Sequence, residues 1–285
     1  MKFLFIAVIL LFSLSETYAN NRSDSTDTYV LARAPQRSHV KTVKDWEPFA
    51  EFLRTKTGAD IRLKVYDSRD HFEHDLLQGK VDLVYANPGY LIAAKELIDY
   101  QPLVRSGKRK LTGIIVTRKS SGINSLQDLS NKTLAFPDKN AFAASLYVRS
   151  ILDNENIPFQ AEYVNGHDNV YRNVANGKFI AGGGVYRTLD REPTALRTQL
   201  QVIYETPGMS PHPLFAHPRV PKNLRDRIVQ IILAMPEDTK NAIILERIKI
   251  HHPVKADFQT DYASIRSLAL QMYKTLLQSQ QRQPK

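Results

Sequence analysis

Cysteine is absent from this chain of 285 residues. No disulfide can form, and no thiol is available as a nucleophile, a metal ligand or a lipid attachment point. The fold must therefore rest on its apolar core. A run long enough to cross a bilayer is missing too: Phe3–Phe12 is apolar throughout but only ten residues long, where a helical span needs about 20. Motifs of familiar chemistry are also lacking. There is no GxSxG, no HExxH with a third carboxylate, no GxGxxG and no pair of carboxylates at a strand end, so neither a catalytic centre nor a metal site is expected. No cofactor is called for. His71 and His74, and His212 and His217 around a proline-rich loop, lack the further ligands a metal ion requires.

What is present begins with a leader. Lys2, the Phe3–Phe12 run and the small residues at Thr17 and Ala19 read as a signal peptide over residues 1–19, with the mature chain starting at Asn20. Cysteine-free and secreted, the mature protein is expected to be a soluble monomer of the periplasm. The net charge is +10. Removing residues 1–19 takes away Lys2 and Glu16, one charge of each sign, and leaves it at +10. That excess favours anionic ligands. The basic residues are scattered, and the dense patch Arg105–Lys110 is broken by Ser106 and Gly107 without interleaved aromatics. Nucleic acid is not the expected partner.

Short β-rich runs alternate with helical ones along residues 29–106 and again along 111–216. The spacing predicts helices over 43–55 with Pro48 in the first turn, over 141–154, over 167–176 with Asp168 capping its start, and over 189–198. Alternation of this kind implies parallel sheets covered on both faces. Two successive groups joined by thin crossings near Gly113 and Pro207 imply an α/β protein of two lobes. Lobe 1 is expected over 20–112 with 208–285, and lobe 2 over 113–207. Ligands of such sheets sit beyond the carboxyl ends of the strands, here in a cleft between the lobes.

Three segments carry a family resemblance: Gly79–Pro88 (GKVDLVYANP), Ser125–Asp138 (SLQDLSNKTLAFPD) and Gly166–Ala181, with Gly166-His167-Asp168, Val174 and Asn176-Gly177. Read in order, they resemble the phosphonate- and phosphite-binding periplasmic proteins of ABC transporters, a type-2 periplasmic-binding-protein family. The resemblance implies a receptor, not an enzyme, that hands a small anionic ligand to an ABC permease. A relative of the same fold that signals to a sensor kinase at the inner membrane is the alternative. The chain departs from the family after Asp138: a Ser-Thr-Ser-Gly run that holds phosphonate oxygens there is replaced by Ala141-Phe142-Ala143-Ala144, with Ser145 beyond, and an acidic position is taken by Ile180. Simple phosphonates are therefore expected to bind weakly.

Candidate ligand-binding residues follow. His167 matches the family's ligand-binding histidine, and its charged form would be favoured by an anion. Tyr85 and Asn87 lie where a strand meets a helix start, and Arg37 lies in the loop after the first strand. Ser145 is the hydroxyl nearest the altered helix start. Tyr186, with Arg187, follows Gly182-Gly183-Gly184 at a strand end. Those glycines admit either a ligand or a tightly packed helix, and Phe142 is either a pocket wall or core.

Overall fold

The computed structural model describes residues 27–35, 38–107 and 110–273; the leader and Arg37 lie outside the described residues. In chain order the elements are β1 (Thr28–Arg33), α1 (His39–Thr57), β2 (Asp60–Lys64), α2 (Arg69–Leu77), β3 (Leu83–Tyr85), α3 (Pro88–Ile98), β4 (Gln101–Ser106), β5 (Gly113–Arg118) and β6 (Lys132–Phe136). They continue with α4 (Val148–Asn154), β7 (Phe159–Tyr163), α5 (His167–Ala175), β8 (Ala181–Val185), α6 (Tyr186–Leu189), α7 (Thr194–Arg197), β9 (Leu200–Glu205) and β10 (Pro213–Ala216). The last are α8 (Lys222–Ala234), α9 (Thr239–Ile248), β11 (Pro253–Lys255), α10 (Phe258–Asp261) and α11 (Arg266–Met272).

Two sheets organise these elements. One has strand order β11-β4-β10-β3-β1-β2 and the other β7-β6-β8-β5-β9. Each is mixed rather than purely parallel. Strands within a βαβ run are parallel (β1 with β2 and β3, β6 with β7 and β8), whereas β10 runs against β3 and β4, and β5 against β8 and β9. Strands β5 and β10 are those that enter from the other sheet, and β11, which follows α9, keeps the direction of β10 and runs against β4. A chain that crosses over arrives from the opposite end, and no crossover helix turns it round.

Alternating side chains of each strand feed opposite faces. In the first sheet Leu31 and Leu83 pack with Trp46, Phe49 and Leu53 of α1 and with Ile228, Ile232 and Leu245 of α8 and α9. Their neighbours Ala32 and Val84 pack with Phe72, Leu76, Tyr90, Leu91 and Tyr262 on the other face. In the second sheet Leu134 and Phe136 meet Val148 and Leu152 of α4, while Ala135, Ile114 and Val116 meet Val170, Tyr171 and Val174 of α5.

Four helix readings are corrected. Helix α1 starts at His39, four residues before its buried apolar period, because residues 38–41 are exposed, Val40 included; Pro48 therefore lies inside it. The stretch 189–198 is not one helix: it holds the last residue of α6 and all of α7, with Pro193 just before the second; the residue ahead of a proline disfavours helical geometry. The helix after β6 begins as a π-helical stretch, Phe142–Tyr147, in which the Ala141 carbonyl accepts from the amides of both Ser145 (2.8 Å) and Leu146 (3.1 Å). Helix α5 starts after Gly166 with no side-chain cap. Asp168 lies within its first turn, 3.6 Å from Arg172 one turn on, where its charge still favours the helix dipole.

The Gly182-Gly183-Gly184 strand serves packing. A Cβ on Gly183 would lie 2.7 Å from Phe136 and overlap the carbonyl oxygen of Ala144, and one on Gly184 would overlap the Tyr171 ring. The missing side chains let the π-helical stretch and α5 lie close on opposite faces of β8.

Candidate functional site

The carboxyl ends of β1 and β3 are in register, with Arg33 directly paired to Tyr85. Facing them across a cavity of ≈ 630 Å³ are the loop after β6, the start of α5 and the start of α6, so the cavity draws its walls from both sheets. Five arginines line it, Arg33, Arg69 and Arg247 from the first sheet's side and Arg187 and Arg191 from the second's, with the carboxylates of Asp45, Asp67, Asp138, Asp168 and Glu192 among them.

Tyr85 stands at the centre of the wall. Its ring packs 4.9 Å from Trp46 and 5.8 Å from His212, centroid to centroid, and its hydroxyl is engaged by Arg187 from the opposite side. Burial raises the Tyr85 pKa, and the charges of Arg187 and Arg33 oppose that rise. His212 is held well below the ordinary histidine value by burial, then by Arg187, Arg33 and His167. His167 faces the cavity with part of its surface, yet its pKa is lowered to about 4, first by burial and then by Arg187 and Arg191, with Asp168 opposing. Its Nδ1 is buried without a hydrogen-bond partner. Both imidazoles are thus held in their neutral form at neutral pH while no anion is bound. The guanidiniums around them make a second cation unfavourable, and an anion placed among them would reverse that balance.

Beside this centre a polar network ties one sheet's layer to the other. Arg69 donates from Nε to Asp138 at 3.0 Å and from its terminal nitrogens to the Tyr90 hydroxyl (3.3 Å) and the Pro35 carbonyl (3.4 Å). The Tyr90 hydroxyl donates to Glu73, and Asn140 donates to the same carboxylate at 2.9 Å. Burial pushes the Glu73 carboxyl up, although both hydrogen bonds oppose it. Phe142, 2% exposed, leaves the second sheet's side to join the core of the first, among Tyr90, Tyr273 and Leu91. It belongs to that core and to the cavity wall at once.

The residues expected from sequence fall out unevenly. Tyr85 and His167 line the cavity together. Asn87 lines it too, but its side-chain oxygen is occupied in capping α3, accepting from the Tyr90 amide (3.2 Å) and the Tyr273 hydroxyl (3.4 Å). Ser145 is fully buried with an unpartnered hydroxyl and does not reach the cavity, whose wall there is Ala141–Ala144. Tyr186 donates to Glu205 and lines an adjoining cavity instead; burial and Glu205 push its pKa up to about 12. Arg37 lies outside the described residues, and Arg33, four residues earlier, holds the strand end. Arg33 and Arg69 are not among the residues expected from sequence, Arg187 enters there only beside Tyr186 and His212 only as a candidate metal ligand, though the strand-end rule alone points to Arg33 and Arg187.

A family model described as "ABC transporter, phosphonate, periplasmic substrate-binding protein" matches residues 31–262. The chain belongs to that family. Membership makes it a substrate-binding protein of the periplasmic, transport-linked type, and the resemblance carried by Gly79–Pro88, Ser125–Asp138 and Gly166–Ala181 is to the same family. Among solved structures, PhnD1 of Prochlorococcus marinus (MIT 9301) in complex with methylphosphonate superposes with a TM-score of 0.75 at 16% identity, over 87% of this chain and 98% of that one. The binding protein component of a phosphonate ABC transporter from Pseudomonas aeruginosa gives 0.71 at 16%, over 88% of each chain. A Xanthomonas citri protein solved with ATP gives 0.75 at 16%, over 87% of this chain and 98% of that one. At such identities the likeness is one of fold: the two-lobed architecture of periplasmic binding proteins.

Proposed function

We propose that this chain captures a small oxyanion of the phosphonate, phosphite or phosphate kind between its lobes and delivers it to an ABC permease. One observation carries the reading: Arg33 and Arg187 converge from opposite sheets on the Tyr85–His212 ring pair. Paired guanidiniums offer forked donors to an oxyanion. The amides at the start of α5 and the imidazole of His167 complete the cradle from lobe 2. Because the wall at Ala141–Ala144 has no hydroxyls, recognition rests on charge and backbone amides, which suits an anion with fewer oxygen contacts than a family member with a serine-rich start would give. The lobes comprise residues 20–112 with 208–285 and residues 113–207. The mature chain begins at Asn20 in the periplasm.

A thermal-shift screen of phosphonates, phosphite, phosphate, sulfate, carboxylates and neutral sugars tests the ligand class. Oxyanions are expected to raise the melting temperature; stabilisation by neutral sugars alone rejects the proposal. N-terminal sequencing of the osmotic-shock fraction is expected to start at Asn20, and a membrane-bound chain that keeps Met1 rejects the leader.

A further inference from the structure

The short helix that carries Arg187 cannot hold its own place. Helix α6 is four residues long and follows Val185 with no side-chain cap, and one turn of helix is not stable by itself. Arg187 is exposed, so its aim at the cavity comes from the backbone beneath it. Tyr171 fixes that backbone. It lies on α5, one turn on from His167 and on the same helix face, and it is fully buried. Unlike His167, it does not line the cavity. Its hydroxyl accepts from the Val185 amide at 3.1 Å and lies 2.6 Å from the Thr188 hydroxyl, which donates to the Val185 carbonyl at 2.8 Å. With the threonine proton committed there, the phenol donates to Thr188, and the three groups close a ring around the turn from β8 into α6. Burial pushes the phenol pKa up to about 12, so the proton this ring needs stays in place. Gly184 admits the phenol: a Cβ there would overlap its oxygen. The glycine before the turn therefore serves the tyrosine rather than the ligand.

We propose that Tyr171 is a positioning residue for capture: its hydroxyl fixes the turn from β8 into α6, holds Arg187 toward the anion, and ties that turn to the helix that starts at His167. This rests on the anion-binding reading of the cavity and adds a residue that never touches the ligand. A guanidinium held ready loses less freedom when the anion arrives than one on a loose turn, so the phenol acts on affinity as well as on stability.

Calorimetric titration of the full mature protein with phosphate, phosphite and methylphosphonate selects the tightest of the three as probe. Tyr171→Phe, which removes only the hydroxyl, is expected to weaken that probe by about three- to tenfold. In an Arg187→Gln background the same change is expected to cost less than about twofold, because the guanidinium it aims is gone. Tyr100→Phe is the control. Tyr100 is also fully buried and donates to the Val81 carbonyl at 2.6 Å, but it lines neither cavity, so its loss should lower the melting temperature and leave affinity alone. Unchanged affinity in Tyr171→Phe overturns the inference and leaves the anion site standing. An equal loss in both backgrounds, or in Tyr100→Phe, also overturns it, since the hydroxyl then supports the fold at large. Failure of all three anions to bind the wild type overturns the anion reading and this inference with it. Should Tyr171→Phe fail to fold, Thr188→Val, which removes the hydroxyl that the phenol donates to, goes through the same cycle. A direct touch of Thr188 on the anion would persist in the Arg187→Gln background, whereas a loss that runs through Arg187 would not.

Discussion

Arg69, at the start of α2, donates from Nε to Asp138, in the loop that leaves β6, across 3.0 Å. The pair joins the two lobes at the rim of the cavity that both residues line. Removing one partner should loosen closure without harming either core. Asp138→Ala is expected to cost about 0.5–1.5 kcal/mol, since the partners are 19% and 33% exposed and the bond is one of several at Arg69. Small-angle scattering of the ligand-free variant should show a larger radius of gyration than the wild type; an unchanged radius would mean that the pair does not hold the lobes together.

Phe142 is core for one lobe and chain of the other, with a Cβ on Gly89 falling 2.7 Å from its ring. Phe142→Ala is expected to lower stability by about 3–5 kcal/mol, the range for a large buried aromatic cut to alanine. Chemical denaturation measures it. A loss below 1 kcal/mol would show that the ring is not packed as described.

Arg187 is exposed and lies outside both cores of the second lobe. Arg187→Gln should leave the melting temperature of the ligand-free protein near the wild-type value. Its affinity for the anion should fall by about 1.5–3 kcal/mol, the worth of a charged hydrogen bond, or about ten- to a hundredfold. Titration with the ligand found by screening reads both numbers, and equal affinity in the variant removes Arg187 from the site.

Stability should depend on acidity through His167. Its folded pKa of about 4 lies below the unfolded value of about 6.5, so the unfolded chain takes up the proton more readily. The contribution is fully present above pH 6.5 and is lost as pH falls from there through about 4. The melting temperature should drop over that window, and His167→Asn should drop less. A bound anion stabilises the imidazolium, so binding near pH 5 should take up protons. Calorimetry in buffers of different ionisation enthalpy detects this, and buffer-independent heats argue against it.

Period and punctuation carried most of the architecture: Ser68 caps α2 as its position implies, accepting from the His71 amide at 3.2 Å, and Pro88 opens α3. The site was less legible because it depends on where a turn points. Tyr186 and Arg187 are adjacent, yet one turn of α6 sends Tyr186 to Glu205 and Arg187 into the cavity. Ser145 is hidden because the widened π-helical turn gives the wall to Ala141–Ala144. His212 draws its meaning from Tyr85, a residue far away in the chain, and no local pattern announces that contact.

The position of β10, between β3 and β4 with all of β5–β9 intervening in sequence, sets an order of assembly. The second sheet is built from one uninterrupted piece of chain and can form as soon as that piece is free. The first must wait for a strand delivered from beyond it, closing a long loop at an entropic cost that grows only slowly with length. A polypeptide cut short between Ser106 and Pro213 would leave the edges of β3 and β4 open where one strand belongs, and open edges recruit other chains. Nonsense mutations in the second half are therefore expected to yield aggregates rather than a working half-receptor.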